Sequence, residues 1–159
     1  MSYVGGRTWC LFLHGRNRET HPACCEVIRP AFVLVAESIL QDMATNQVSV
    51  INLIEEVRPV GYPLLVPRLA VLVIFERDED DDPTGEANLR ILIEDQELFT
   101  STLDFHFGES RLFRSILQFH GFSVPDAGSI RVRVDVGEAS AESFPIPAFP
   151  AGAPVADAD

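Results

Sequence analysis

Apolar and polar residues alternate with a period of two along much of this chain, which is the pattern of strands that bury one face. Residues 88–95, 99–107 and 129–136 show it most clearly. In the last stretch, Ile and Val hold the even positions and polar residues hold the odd ones. Each of these stretches is therefore predicted to be a half-buried antiparallel strand.

A predicted hairpin opens the regular part of the sequence. Residues 32–40 and 48–57 are two runs of strand length, rich in Val, Ile and Leu, and the polar residues 41–47 connect them. This composition predicts two paired strands that begin a sheet. Residues 69–75 form a continuous apolar run, which predicts a strand covered on both faces or central in a sandwich.

The connections carry their own signals. Pro59, Pro63 and Pro67 predict an extended segment without helix, because proline removes a backbone donor and restricts its neighbour. The acidic residues 76–86 predict a long solvated hairpin loop, with residues 88–95 as its return strand. Residues 125–128, Pro-Asp-Ala-Gly, predict a turn before the last clear strand.

Two stretches are less regular. Residues 112–124 are apolar and are counted as a strand, with a short helix over residues 111–121 as the alternative, since Leu112, Ile116 and Phe119 fit a period of 3.6. Residues 142–146 are expected to add a last short strand. The proline- and alanine-rich residues that follow show no core-forming pattern.

The count of about eight short strands, with no helix that periodicity demands, predicts an all-β fold. We expect an antiparallel immunoglobulin-like β-sandwich, in architecture only, because the Cys and Trp hallmarks of immunoglobulin domains are absent. Residues 30–147 are assigned to the sandwich and residues 148–159 to a disordered tail. Residues 1–29 are an irregular N-terminal arm, or sequence upstream of a wrongly assigned start near residue 27 or 28.

Charge and cysteine content limit the function classes. The net charge is −12, with +2 in residues 1–30 and −14 in the remaining 129 residues. Such a surface repels phosphate, so we expect no nucleic-acid or anionic-membrane partner. The three Cys all lie in the first 25 residues and give no disulfide framework, and no apolar run approaches the ~18 residues of a membrane span. These features favour a cytoplasmic protein.

Three groups of residues are candidates for chemical sites. Calcium would suit the alternating acids Asp78, Asp80 and Asp82, although a solvated loop that protects a sheet edge is the simpler interpretation. The Cys and His side chains of the first 25 residues are ligands that suit zinc. A hydrolase would need a catalytic triad, and the sequence contains no nucleophile-elbow motif that would support one. The zinc candidates are Cys10, His14, His21, Cys24 and Cys25, and the triad candidates are Ser110, Ser115, His106, His120, Asp104 and Asp126. No catalytic, cofactor-binding or metal residue is assigned, and no cofactor is expected.

Some of these features recur together in one family. The chain opens its regular part with Arg29-Pro30, Ala36-Glu37, a polar connector and Asn52, and the Pro-rich residues 59–67 follow. Over residues 28–149, including the late turn and strand of residues 125–136, it resembles a family of small bacterial β-sandwich proteins known only as a domain of unknown function. The resemblance implies the fold and a bacterial origin, and it implies no activity.

The expected function is therefore non-catalytic binding of a protein partner or self-association. One hypothesis is that the Arg131 and Arg133 face of one copy complements the acidic loop of another. The alternatives are a calcium-dependent binding module and a small hydrolase.

Overall fold

Nine strands and no helix make up residues 28–152, the part of the chain that the computed structural model describes. Strands lie over all three stretches in which apolar and polar residues alternate. Residues 112–124 also form a strand, so the alternative of a short helix is wrong. The strands are β1 (Arg29–Gln41), β2 (Val48–Leu53), β3 (Leu64–Glu76), β4 (Thr84–Ile93), β5 (Gln96–His106), β6 (Leu112–Val124), β7 (Gly128–Val136), β8 (Ala139–Glu142) and β9 (Ile146–Ala148).

Two antiparallel sheets face each other. Sheet A has the strand order β2-β1-β3-β6, and sheet B has the order β5-β4-β7-β8, with β9 also paired to β7. Strands β3 and β6 are neighbours in sheet A, while β4 and β7, which follow them directly in the chain, are neighbours in sheet B. Immunoglobulin sandwiches cross between their sheets in the same way, so the predicted fold class is confirmed.

The main core fills the space between the two sheets. Alternate residues of β3 and β4, among them Val71, Val73, Leu89 and Ile91, are completely buried there. Three even positions of β7, Ile130, Val132 and Val134, are buried against them, as the alternation predicts. Removal of this apolar surface from water is the main stabilising term for a domain of this kind.

A second, smaller core lies on the outer face of sheet A. The second half of β1 and the paired β2 fold back across this face, and Arg114 of β6 donates to the carbonyl of Asn46 at 2.9 Å. Ile39 of this hairpin packs against Ala70 and Leu72 of β3, and all three are at most 5% exposed. Strand β3 is therefore covered on both faces, which explains its continuous apolar sequence.

The hairpin bends where the alternation of β1 breaks. Ala36 and Ile39 are three residues apart, yet both are buried in the outer core. Opposite the break, Asn52 has a φ of +52°, and its side-chain amide donates to Glu37 at 2.6 Å. A positive φ is rare for most residues but is tolerated by Asn, so Asn52 suits this position. Ala36, Glu37 and Asn52 therefore build this bend.

Three connections differ from the sequence-based predictions. The acidic loop is not a hairpin loop: it carries the chain from β3 in sheet A to β4 in sheet B, and β4 pairs with β5 and β7. The predicted strand at residues 142–146 is instead a break between β8 and β9. Ile146 and Ala148 both belong to the main core, although the sequence places Ile146 at the end of a strand and residue 148 in a disordered tail. Residue 148, assigned to that tail, is thus part of β9, and the Phe149 N–H bonds to the carbonyl of Val57 at 2.9 Å.

Candidate functional site

A groove opens along one side of the sandwich, between the first half of β1 and the segment that joins β8 to β9. We call it the lateral groove, and it is lined by residues 31–35, 53–55 and 141–146. It consists of two adjoining spaces of about 230 and 240 Å³, which share Phe32, Val33 and residues 143–145. A concave surface with a mostly apolar lining is a common feature of ligand-binding sites.

Ser143 shapes one wall of the lateral groove. It is 8% exposed, its N–H donates to the carbonyl of Val132 at 2.8 Å, and its Oγ accepts from the N–H of Val132 at 3.0 Å. The same Oγ donates to the carbonyl of Phe144 at 3.0 Å. The Ser143 side chain thus bonds to the backbone of β7 in the gap between β8 and β9, and the residues that follow Ser143 bulge outward.

The bulge presents an aromatic side chain to solvent. Phe144 is 84% exposed, and Phe32 and Leu53, which also line the groove, are 41% and 50% exposed. Single exposed apolar residues are common on protein surfaces, but three around one concave site form a patch. At the lateral groove, an apolar partner would therefore bury exposed aromatic and aliphatic side chains together.

The charge of the groove is acidic. Of the described residues that line it, Glu55 and Glu142 carry carboxylates and none is Arg. Arg133, the nearest basic residue to Glu142, lies 3.8 Å from that carboxylate and 3.0 Å from Asp135. The Arg133 guanidinium is thus engaged within its own chain. Complementarity between this Arg face and the acidic loop of a second copy stays a prediction.

Arg77 links the acidic loop to the loop between β5 and β6. The Arg77 guanidinium donates to the carbonyls of Asp81 at 2.9 Å, Ser110 at 3.1 Å and Gly108 at 3.2 Å. The Asp82 carboxylate accepts from the hydroxyl and the N–H of Thr84, and these bonds lower the pKa of Asp82. Within residues 28–152 no three acidic, His or Cys side chains converge as a metal site would require.

The triad candidates are spread over the sandwich. His106 lies beside the buried Phe105 and Phe107, so it faces outward from sheet B, while His120 faces outward from sheet A. The Ser110 hydroxyl donates to the carbonyl of Leu112 at 2.8 Å. The fold does not bring the two histidines together at one site. The zinc candidates, residues 10–25, lie outside the described part of the chain.

Sequence patterns did not reveal the lateral groove. Its walls come from three separate stretches, and the one that contains Phe144 lies where the sequence predicts a short strand and then a tail. One signal was present: an aromatic residue next to a proline, Phe144-Pro145, in an otherwise alternating stretch. Proline within a strand pattern is typical of edges and bulges, so Pro145 marks a break in the strand there.

Residues 28–152 include no helical segment with the length and apolar character needed to cross a membrane. No model of a known protein family matches this chain, and a search of curated proteins finds no match either.

Proposed function

We propose that this domain works by binding, without catalysis of its own, and that the lateral groove takes a protein partner. The observation that carries the proposal is the exposed aromatic pair, Phe32 and Phe144, beside a concave apolar surface. Exposed apolar surface is unfavourable in water, and aromatic side chains supply much of the binding energy at protein interfaces. We further propose that the protein is a bacterial accessory protein, which the family resemblance favours, and that it works in the cytoplasm, which the cysteine content favours.

A selection from a displayed library of random peptides tests this proposal. Peptides enriched on the full chain are measured against a groove variant, Phe32→Ser with Phe144→Ser, and against a control variant, Met43→Ser with Val60→Ser. The control residues are 89% and 97% exposed and do not line the groove. Substitutions at such exposed sites change stability little.

The expected result is a set of peptides that bind the control variant as tightly as the wild type. On the groove variant they lose at least about tenfold in affinity, because truncation of aromatic anchors removes the largest binding terms. Peptides that bind all three proteins equally, or a selection without enrichment, would contradict the proposal.

A further inference from the structure

We propose that the partner is an extended peptide which pairs as an added strand with the free edge of β1 at Val33, with basic residues on both flanks. This inference rests on the proposed function and names the partner that the lateral groove would take. Strand addition of this kind draws affinity from backbone hydrogen bonds and specificity from alternate side chains.

The first half of β1 has a strand on one edge only. β3 pairs with β1 along residues 29–36, but β2 pairs with the opposite edge only from Ala36 onward. No strand in residues 28–152 pairs with that edge at Val33. Because β2 accompanies only the half of β1 that bends over sheet A, the other half has an edge that no strand of residues 28–152 pairs with.

The direction of the Val33 peptide groups follows from its neighbour. Ile54 donates its N–H to the carbonyl of Val35 at 3.1 Å, so the peptide groups of Val35 face away from β3. In an antiparallel ladder, residues two apart present their N–H and C=O to the same side. The N–H and C=O of Val33 therefore face the edge that borders the lateral groove, as Val33 itself lines it.

Burial makes this edge favourable for pairing. Val33 is 5% exposed, with its side chain in the main core. A peptide group without a partner in such a site is unfavourable, and an incoming strand would supply the partner. Phe144 and Leu53 line the same groove as Val33, and they would cover apolar side chains of that strand.

Charge selects the flanks of the peptide and disfavours a second copy of this chain. Glu55 lies in the groove lining, Glu142 at its border is 3.8 Å from Arg133, and the chain carries a net charge of −12. Two such surfaces repel each other, whereas arginine or lysine on the incoming strand would be attracted. An acidic surface also accelerates the encounter with a basic peptide at low ionic strength.

Amide hydrogen exchange of the full chain, followed by NMR, tests the inference. The probe is a synthetic peptide, Arg-Arg-Ile-Thr-Val-Thr-Ile-Arg-Arg, and its matched control has Glu in place of each Arg. The arginine peptide is expected to slow exchange of the Val33 N–H at least about tenfold, since pairing protects an amide. Exchange at Ser101, in the distant strand β5, is expected to stay unchanged, and the glutamate peptide is expected to bind at least about tenfold more weakly.

Each other outcome would overturn a different part of this inference. If the arginine peptide fails to bind, or binds and leaves Val33 exchange unchanged, strand addition is wrong, while groove-dependent binding in the peptide selection leaves the proposed function standing. If Val33 is protected as well as its β3-paired neighbour Leu34 before any peptide is added, the edge is already occupied by another part of the chain or by a second copy. Equal affinity for the two peptides would overturn the basic flanks.

Discussion

Gly85 stands against the ring of Phe105, and the lack of a side chain at this position allows close aromatic contact. A Cβ at Gly85 would lie 2.6 and 2.7 Å from two ring atoms of Phe105. Phe105 is 4% exposed and stacks on Phe75 with ring centroids 4.8 Å apart. Phe113 completes the cluster at this end of the sandwich. Aromatic rings pack here as tightly as the backbone of β4 permits.

Gly85→Ala is therefore expected to destabilise the domain by about 1–3 kcal/mol, the usual cost of an overfilled core. Gly61→Ala is the matched control, because a Cβ there meets nothing within 4 Å. Urea denaturation of both variants gives the comparison. Equal unfolding free energies for the two variants would contradict this account of the aromatic cluster.

Ser143 and Phe144 are adjacent in sequence but are predicted to respond in opposite ways. Ser143→Ala removes the Oγ that bonds the buried N–H of Val132, and about 1–3 kcal/mol of stability is expected to be lost. Phe144→Ser changes a side chain that is 84% exposed, so stability is expected to change by less than about 0.5 kcal/mol. Thermal unfolding separates the two, and a larger loss at Phe144 would mean that it is buried in solution.

At the scale of elements, the β1–β2 hairpin depends on the bend at Asn52. Asn52→Gly keeps the positive φ and loses only the bond to Glu37, whereas Asn52→Ala adds a cost of about 1 kcal/mol, because a Cβ disfavours the left-handed region. Unfolding free energies are expected to rank wild type, then Gly, then Ala. Faster exchange of the Ile39 amide in the Ala variant would localise the effect. If Ala is at least as stable as Gly, the bend does not need this conformation.

The outer face of sheet B has a charge cluster that links three strands. Burial alone would raise the pKa of Asp135, but hydrogen bonds from Ser140, Arg90 and Arg133 outweigh it and lower this pKa below 3.8. The Arg90 Nη2 lies 2.6 Å from Asp135 Oδ2, and Arg133 Nε lies 3.0 Å from Oδ1. The ionised carboxylate therefore stabilises the folded state.

A lowered folded-state pKa gives a stabilising contribution that is fully present above the unfolded value and is lost as pH falls through the folded value. The wild type is thus expected to lose stability as pH falls from about 5 towards 2 more steeply than Asp135→Asn. At neutral pH the variant is expected to be less stable by about 1 kcal/mol, as for a partly exposed ion pair. Denaturation curves across this pH range provide the test, and parallel curves would show that Asp135 has no role.

The pattern of apolar and polar residues predicted where the strands lie better than it predicted which strands pair with each other. Strands β4 and β7 follow from alternation, because each buries every second residue in the main core. The acidic loop has the same composition whether it joins neighbours or crosses between sheets, so its predicted hairpin was wrong. The break between β8 and β9 was missed because one hydroxyl, that of Ser143, replaces a strand bond. The groove could not be predicted, since its walls meet only after the hairpin folds over sheet A.

At the scale of the whole molecule, a single arrangement produces both the second core and the lateral groove. The bent hairpin covers the outer face of sheet A, and within residues 28–152 the first half of β1 then pairs with β3 on one edge and with no strand on the other. Sheet edges that remain open are sites where other chains pair, and natural proteins usually protect them. Here the open edge lies at an apolar groove with acidic residues, which favours selective pairing over general aggregation.

The most direct test of the groove as the binding site is an NMR titration of the full chain, labelled with nitrogen-15, against the peptides that the displayed library yields. We expect shift changes concentrated in residues 31–35 and 141–146, on both walls of the lateral groove. Changes confined to the acidic loop or to β2, with the groove residues unmoved, would contradict it.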